Sequence, residues 1–456
     1  MPGAGPAAHA ACFPLVGRAA GDILFRGPEG AFTAKDFLLA VHRLAAALPQ
    51  SGHYLNLCQD RRHFAVAFAA TVLRGQVSLL TSDRSEARLR RLAERFPGCC
   101  AVTEEAADLP LPQHRFALHS ASPAPGGMDN PMIPAGQPAA LVFTSGSTGE
   151  PVAHGKSWGA LATRSAAAAE RFGLAPAAPA SIVGMVPPQH MYGFETTILL
   201  PLHAPVSVWC GPAFYKADVE QALAAVPGPR VLVTTPLQLR ALLAAGIRIS
   251  SEGIAPVERV ISATAPLYRD LAGDVERAWG TSVCEIYGAT EVGSIASRRT
   301  VAEEDWQVYP SVRLEPCLDG VQVLAPYAEP TGLNDEVAFA GTDRFSLLGR
   351  KTDIVKLAGK RASLAGLNRI LNEIDGVQDG LFVAPDDLEE RPTARLLAYV
   401  VAPERSSEDI LAALRGRIDP VFLPRRVVRV DGLPRNELGK LPRQVLATLH
   451  DAAGRD

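Results

Sequence analysis

The stretch Leu141-Val-Phe-Thr-Ser-Gly-Ser-Thr-Gly-Glu-Pro151 decides how this chain is read, because hydroxyl side chains and glycines crowd into a short loop straight after an apolar run. Thr144, Ser145, Ser147 and Thr148 offer hydroxyl donors, while Gly146 and Gly149 let backbone N–H groups turn inward, so the loop can form a concavity for an anion such as phosphate. Taken alone, a cluster of this composition is more often a solvated turn between periodic segments. Its meaning rests on what surrounds it.

Outward from the loop, helical periodicity over Ala34–Leu48, Arg62–Arg74 and Glu86–Phe96 alternates with short apolar runs at Tyr54–Cys58, Val77–Leu80 and Cys99–Val102. That alternation predicts β-α-β units and a parallel, doubly wound sheet. A link rich in Pro, Gly and Ser, residues 120–136, leads to a second run of the same rhythm: a strand at Ala139–Phe143, a helix from Ser157 to Phe172 stopped by Gly173, a strand at Ser181–Val186, and further units as far as Ile286. From Lys351 the units shorten and end in the basic tract Arg425, Arg426, Arg429, Arg435, Lys440 and Arg443. The fold class therefore reads as α/β, with a large N-terminal domain of doubly wound layers over residues 1–350 and a smaller α+β C-terminal domain over residues 351–456. Ligands of open α/β sheets bind beyond the carboxyl ends of the strands. The Thr144 loop, Ser262-Ala-Thr-Ala-Pro266 and Tyr287–Glu291 all fall at such ends.

Composition excludes several classes. A formal net charge of −3 argues against wholesale nucleic-acid binding. Seven cysteines, odd in number and without a C-x-x-C spacing, suggest neither a zinc site nor a disulfide framework and fit a reducing cytoplasm. The N-terminal segment has no basic region ahead of its apolar residues and carries Pro2, Pro6 and Pro14, which argues against a signal peptide. Pro201, His203 and Pro205 interrupt the most apolar stretch, so no membrane span is expected.

Three further segments follow the Thr144 loop: Ile286-Tyr-Gly-Ala-Thr-Glu291, Leu348-Gly-Arg-Lys-Thr-Asp-Ile-Val-Lys356 with Gly359-Lys-Arg361, and Leu433-Pro-Arg-Asn-Glu-Leu-Gly-Lys440-Leu-Pro-Arg443. In this order the four resemble the adenylate-forming superfamily of acyl-CoA synthetases, adenylation domains and luciferases, from Ala140 to the C-terminus. The chain is also similar to the short acyl or aryl ligases of aryl-polyene-type pathways. The resemblance implies ATP-dependent activation of a carboxylic acid to an acyl-adenylate with release of pyrophosphate, then transfer to a thiol. Its co-reactants would be ATP, Mg²⁺ and either coenzyme A or the phosphopantetheine of an acyl carrier protein.

Residue by residue, the resemblance implies that the Thr144–Gly149 loop cradles phosphate, that Glu291 holds Mg²⁺ and that Thr290 touches the α-phosphate. Tyr287 would lie against adenine, with Gly288 permitting close approach and Ala263 and Thr264 completing the nucleotide wall. Asp343, in Gly341-Thr-Asp343, matches the ribose-binding acid, although the family order is Thr-Gly-Asp and its interval to Gly349-Arg350 is usually longer. Arg350 would donate forked hydrogen bonds to ribose or phosphate oxygens. Lys440 would reach both the substrate carboxylate and the bridging α-phosphate oxygen. The small domain would then rotate, withdrawing Lys440 and turning Gly359, Lys360 and Arg361 toward the thiol. His190, in Pro187-Pro-Gln-His190-Met-Tyr-Gly193-Phe194, resembles the gate facing the carboxylate, and Tyr192, Gly193, Thr235 and Ala289 would line a mostly apolar acyl pocket. With no acid placed to pair an α-amine, an aryl or medium acyl carboxylate is expected.

This chain departs from the family pattern in three places. Val152-Ala153 stands where Lys-Gly is usual, which leaves Lys156, at the start of the next helix, as a substitute; Thr352, beside Asp353, occupies the pivot position; and Ser363 follows Arg361 where an acid is usual. These departures keep open a protein that binds nucleotide or acyl groups without turnover. A P-loop reading of Gly149 to Ser157 fails on spacing, because Gly149 and Gly155 enclose five residues rather than four. Between the two acceptors, the Arg425–Arg443 tract favours an acidic carrier protein.

Overall fold

The α/β rhythm of the sequence is built into two large sheets with helices packed between and around them. In the computed structural model the described residues are 11–118, 127, 129–144, 152–247, 249, 256–318, 320–350, 354–357, 360–385 and 395–435. The first sheet has six strands, in the order Val152–Ser157, Pro138–Thr144, Val77–Leu80, His53–Asn56, Cys100–Thr103, Gln113–Arg115. All its pairs are parallel except the outermost, where Val152–Ser157 runs antiparallel to Pro138–Thr144.

The second sheet has eleven strands. Its centre, Ala180–Gly184, Arg230–Thr234, Val257–Ser262 and Ser282–Ala289, is parallel. The chain then folds back through Gly293–Arg299, Trp306–Val308, Arg344–Arg350 and Asp335–Phe339, all antiparallel. On the other side, Ile23–Gly27 joins Val206–Trp209, so the N-terminal segment closes the second sheet before the first begins.

The helices start where capping side chains allow. Thr33 and Asp36 form a capping box for Ala34–Ala47, Asp60 accepts from the Arg62 and His63 amides at the head of Arg61–Leu73, and Ser157 accepts from Ala160 N to open Trp158–Arg171. Between the sheets the Phe68 ring meets Phe194 edge-on at 4.9 Å and lies near Trp158, part of one continuous apolar core. A smaller C-terminal domain has its own apolar cluster, drawn from Val355 to Val427, around the strands Asp379–Val383, Leu397–Val401 and Arg426–Arg429 and the helices Leu364–Asn372 and Ser407–Arg415. No helix among the described residues is long and apolar enough to cross a membrane.

One expectation changes here. Lys156 does not open the helix; it lies on the strand Val152–Ser157 and is buried, as one of three residues of a Gly-Lys-Ser run in extended backbone. A P-loop lysine needs a loop whose amides face phosphate, so the strand also disposes of that alternative.

Candidate active site

The carboxyl ends of the second sheet's central strands converge, and each is held by buried polar side chains. Arg61, from the helix Arg61–Leu73, donates through Nη2 to the carbonyls of Gly184 (2.7 Å) and Val186 (3.0 Å), fixing the segment that runs on to His190. Glu285 accepts from the Leu267 amide at 2.8 Å and is paired with Arg298 at 3.0 Å, which ties down the loop through Ala263 and Thr264. In that loop Thr264 has φ of 81°, a left-handed backbone in a residue that rarely adopts it.

Tyr287 and Gly288 lie near the end of the strand Ser282–Ala289, and Thr290, Glu291 and Val292 form the turn into Gly293–Arg299. The turn is gripped from behind by three buried ionic side chains. Lys156 Nζ donates to the Glu291 carbonyl at 2.5 Å, Arg164 Nη1 donates to the Ser294 carbonyl at 2.5 Å, and Glu195 accepts from Ser294 N (3.1 Å) and Ser294 Oγ (2.5 Å). Gly293, with φ of 100°, has no room for a side chain, since a Cβ would collide with the Glu195 carboxylate. Burial pulls the Lys156 ammonium down to about 8, against the opposing pull of Glu195. The Glu291 carboxylate stays part-exposed, with His154 Nε2 at 4.0 Å. Burial likewise lowers the His154 imidazole.

Beyond the turn, Tyr287 Oη donates to Asp335 Oδ2 at 2.6 Å, and its ring packs at 5.6 Å from Trp306 and 5.7 Å from Phe345. Asp335 is the register partner of Arg350 across the hairpin. Asp343 lies at the opposite, turn end of that hairpin, exposed, and contributes its backbone carbonyl to Val308 N at 2.8 Å. Asp343 thus stands away from Tyr287, whereas the carboxylate beside Tyr287 is that of Asp335, in register with the backbone of Arg350. The signal was present in the sequence, since the interval from Asp343 to Gly349-Arg350 is shorter than the family pattern, and a strand pair places Arg350 opposite the first residue of its partner rather than the last.

Of the expected acyl wall, Tyr192 is buried with Oη donating to the carbonyls of Ile261 (2.8 Å) and Thr234 (3.1 Å). Thr235 caps the helix Pro236–Ala244, its Oγ1 accepting from Gln238 N at 3.3 Å. A Cβ on Gly193 would collide with the Pro187 carbonyl, so that glycine serves close packing. The hydroxyls of Tyr192 and Thr235 are thus engaged with the backbone; Thr235 is fully buried, and Tyr192 nearly so. His190 sits at the N-cap of the short helix Met191–Phe194, half-buried, and Ala289 ends its strand.

Lys360 is exposed and paired with Asp419 at 2.6 Å. In the basic tract Arg435 is paired with Asp379 at 2.7 Å, whereas Arg425, Arg426 and Arg429 are exposed. Thr144 ends the strand Pro138–Thr144, and the backbones of Arg350 and Arg361 lie in strands. Ser145, Gly146, Ser147, Thr148, Gly149, Thr352, Asp353, Gly359 and Lys440 lie outside the described residues.

The donor set suits Mg²⁺, which favours oxygen ligands and is commonly held by one or two carboxylates together with substrate phosphates. Glu291 supplies a part-exposed carboxylate in the turn that begins with Thr290, and the described residues contain no group of three or more His, Cys, Asp or Glu that could cage a metal by themselves.

The AMP-binding enzyme family matches residues 18–328. The chain is 30% identical over 316 residues to a 4-coumarate--CoA ligase of Halorhodospira halophila, covering 65% of this chain and 73% of that protein. It is 25% identical over 351 residues to an indoleacetate--CoA ligase of Aromatoleum aromaticum, covering 68% and 67%. In fold it superposes on ATP-bound MatB from Rhodopseudomonas palustris with a TM-score of 0.79 at 19% identity, covering 95% of this chain and 97% of that one.

Proposed function

Because this chain belongs to the AMP-binding enzyme family, it is an AMP-forming acid–thiol ligase that uses ATP to activate a carboxylate, and we propose that the strand-end cleft of its second sheet holds the acyl-adenylate. The observation that carries this assignment of the cleft is the Tyr287–Asp335 hydrogen bond of 2.6 Å beside Arg350. It sets an aromatic ring, a carboxylate and a backbone strand end together, as a nucleoside requires: a face for the base and an acceptor for ribose hydroxyls. In this reading the domain boundary is taken at Arg350, which the end of the strand Arg344–Arg350 supports.

In this reading Thr144 and the residues up to Gly149 cradle the phosphates, Thr290 donates to the α-phosphate, and Ala263, Thr264 and Gly288 complete the nucleotide wall. Glu291 holds Mg²⁺, which when bound would offset triphosphate charge. Attack of the substrate carboxylate on the α-phosphorus releases pyrophosphate. His190 faces that carboxylate, and Lys440 stabilises the charge that develops between carboxylate and phosphate. Transfer to the thiol follows on the face carrying Lys360 and Arg361. The relatives named above support coenzyme A as acceptor; the exposed Arg425, Arg426 and Arg429 support the phosphopantetheine of an acidic carrier protein as a second one.

Substrate-dependent exchange of pyrophosphate into ATP, run over a panel of aryl and medium-chain acids, tests the first half-reaction. The proposal is refuted if every acid gives none, or if Lys440→Ala exchanges as fast as the unaltered enzyme. Product mass spectrometry with free coenzyme A and with a phosphopantetheinylated carrier then distinguishes the acceptors.

A further inference from the structure

Glu195 is buried, and no step of the reaction described above touches it. It opens a wide π turn, Glu195–Leu199, set between the short helices Met191–Phe194 and Leu200–His203. Single turns of this kind within α-helices frequently occur at functional sites. Thr196 Oγ1 donates to the Tyr192 carbonyl at 2.7 Å and Thr197 Oγ1 to the Gly193 carbonyl at 2.6 Å, so side-chain hydroxyls reinforce the turn from within. The segment is anchored on its own side by Tyr192, whose hydroxyl is engaged with two central strands.

Across from it stands the turn of Thr290 and Glu291. The Glu195 carboxylate takes hold of one residue there: Ser294 N lies 3.2 Å from Oε1 and 3.1 Å from Oε2, and Ser294 Oγ donates to Oε2 at 2.5 Å. A Cβ on Gly293 would meet both the Glu195 carboxylate and the Met191 methyl, so the missing side chain is what lets the two segments close. The same negative charge acts on Lys156 and Arg164, the cations bonded to the carbonyls of Glu291 and Ser294. Burying three charges costs more than filling the space with hydrocarbon, since each must shed its water. Hydrocarbon, however, would impose no direction on the turn.

We propose that Glu195 is a positioning residue for adenylate formation, holding the His190 segment and the turn of Thr290 and Glu291 in one fixed relation so that carboxylate and α-phosphate meet aligned. The inference rests on the ligase reading and deepens it by assigning the link between its acid-facing and phosphate-facing sides. Glu195 touches neither reactant. It acts through Ser294, in the strand that follows the turn, and through the helix that His190 caps. A misplacement of about 1 Å between reacting groups can cost about 10²-fold in rate. Loss of Glu195 therefore slows the chemical step, while each substrate, held by its own side of the cleft, still binds.

The test is single-turnover formation of the acyl-adenylate, with saturating enzyme in excess over an acid that the unaltered enzyme accepts, in that enzyme, Glu195→Gln and Glu195→Ala. Pyrophosphate exchange supplies the KM values for ATP and acid. The rate constant, unlike the amplitude, does not depend on how much of a preparation is folded. Glu195→Ala should lower it about tenfold to a hundredfold, and Glu195→Gln, which keeps an acceptor for the Ser294 amide but not the charge, about threefold to tenfold. Both KM values should stay within about threefold, the pattern of an interaction needed only at the transition state. Smaller falls in the rate constant, or a loss carried by the KM of either substrate, would show a residue that only supports the fold or serves one ligand; either overturns the inference and leaves the ligase reading intact. No adenylate from any acid in the unaltered enzyme would overturn the ligase reading itself.

Discussion

Replacing Asp335 by Ala separates the two candidate ribose acids. Truncation removes the acceptor of the Tyr287 hydroxyl, a charge-assisted hydrogen bond of 2.6 Å between half-buried groups, and takes away the carboxylate facing Arg350 in register. Hydrogen bonds to charged groups contribute about 1.5–3 kcal/mol, and a factor of ten in rate corresponds to about 1.4 kcal/mol. The expected loss in kcat/KM for ATP is therefore roughly 10-fold to 150-fold. Asp343→Ala should cost about twofold at most, because that side chain is exposed and its structural contact, to Val308 N, comes from a backbone carbonyl that alanine retains. The assay is the ATP dependence of pyrophosphate exchange at saturating acid. If Asp335 acts together with Tyr287, a double-mutant cycle with Tyr287→Phe should show a coupling of about 1–2 kcal/mol. Equal losses from Asp335→Ala and Asp343→Ala, or a larger one from Asp343→Ala, would refute the reasoning.

Two other outcomes follow from buried cations and imidazoles. Lys156→Met should lower kcat for adenylation at least about tenfold, because the Glu291 carbonyl loses its partner, while the melting temperature moves by only a few degrees, since the variant is also relieved of burying a charge; an unchanged kcat would count against the grip of Lys156 on the turn. His203 is pushed down to about 4 by burial alone, so the folded state refuses a proton that the unfolded chain binds below its ordinary value of 6.5. Its contribution to stability is complete above pH 6.5 and is lost as pH falls toward 4. Urea unfolding at pH 7 and 4.5 should show the unaltered protein losing about 2–3 kcal/mol more than His203→Leu; parallel losses would show that His203 titrates normally.

The sequence by itself determined the alternation of strand and helix over residues 34–103 and 139–286, because hydrophobic periods and capping residues act over a few neighbours; the helices Ala34–Ala47, Arg61–Leu73 and Glu86–Arg95 lie within a residue or so of their expected spans. It also determined the family, through motifs whose residue types are set by nucleotide chemistry. Pairing between distant segments left no such local trace. The strand Val152–Ser157 is short and carries His154 and Lys156, so it read as loop and helix start, and only its antiparallel partner Pro138–Thr144 makes it a strand. The placement of Asp335 beside Tyr287 depends on register across a hairpin. The meeting of Lys156, Arg164, Glu195 and Ser294 depends on three elements closing on one turn. A charged side chain on its own segment reads as solvent-facing; it is burial against opposite charge, which exists only in the folded chain, that turns these residues into the support of the site.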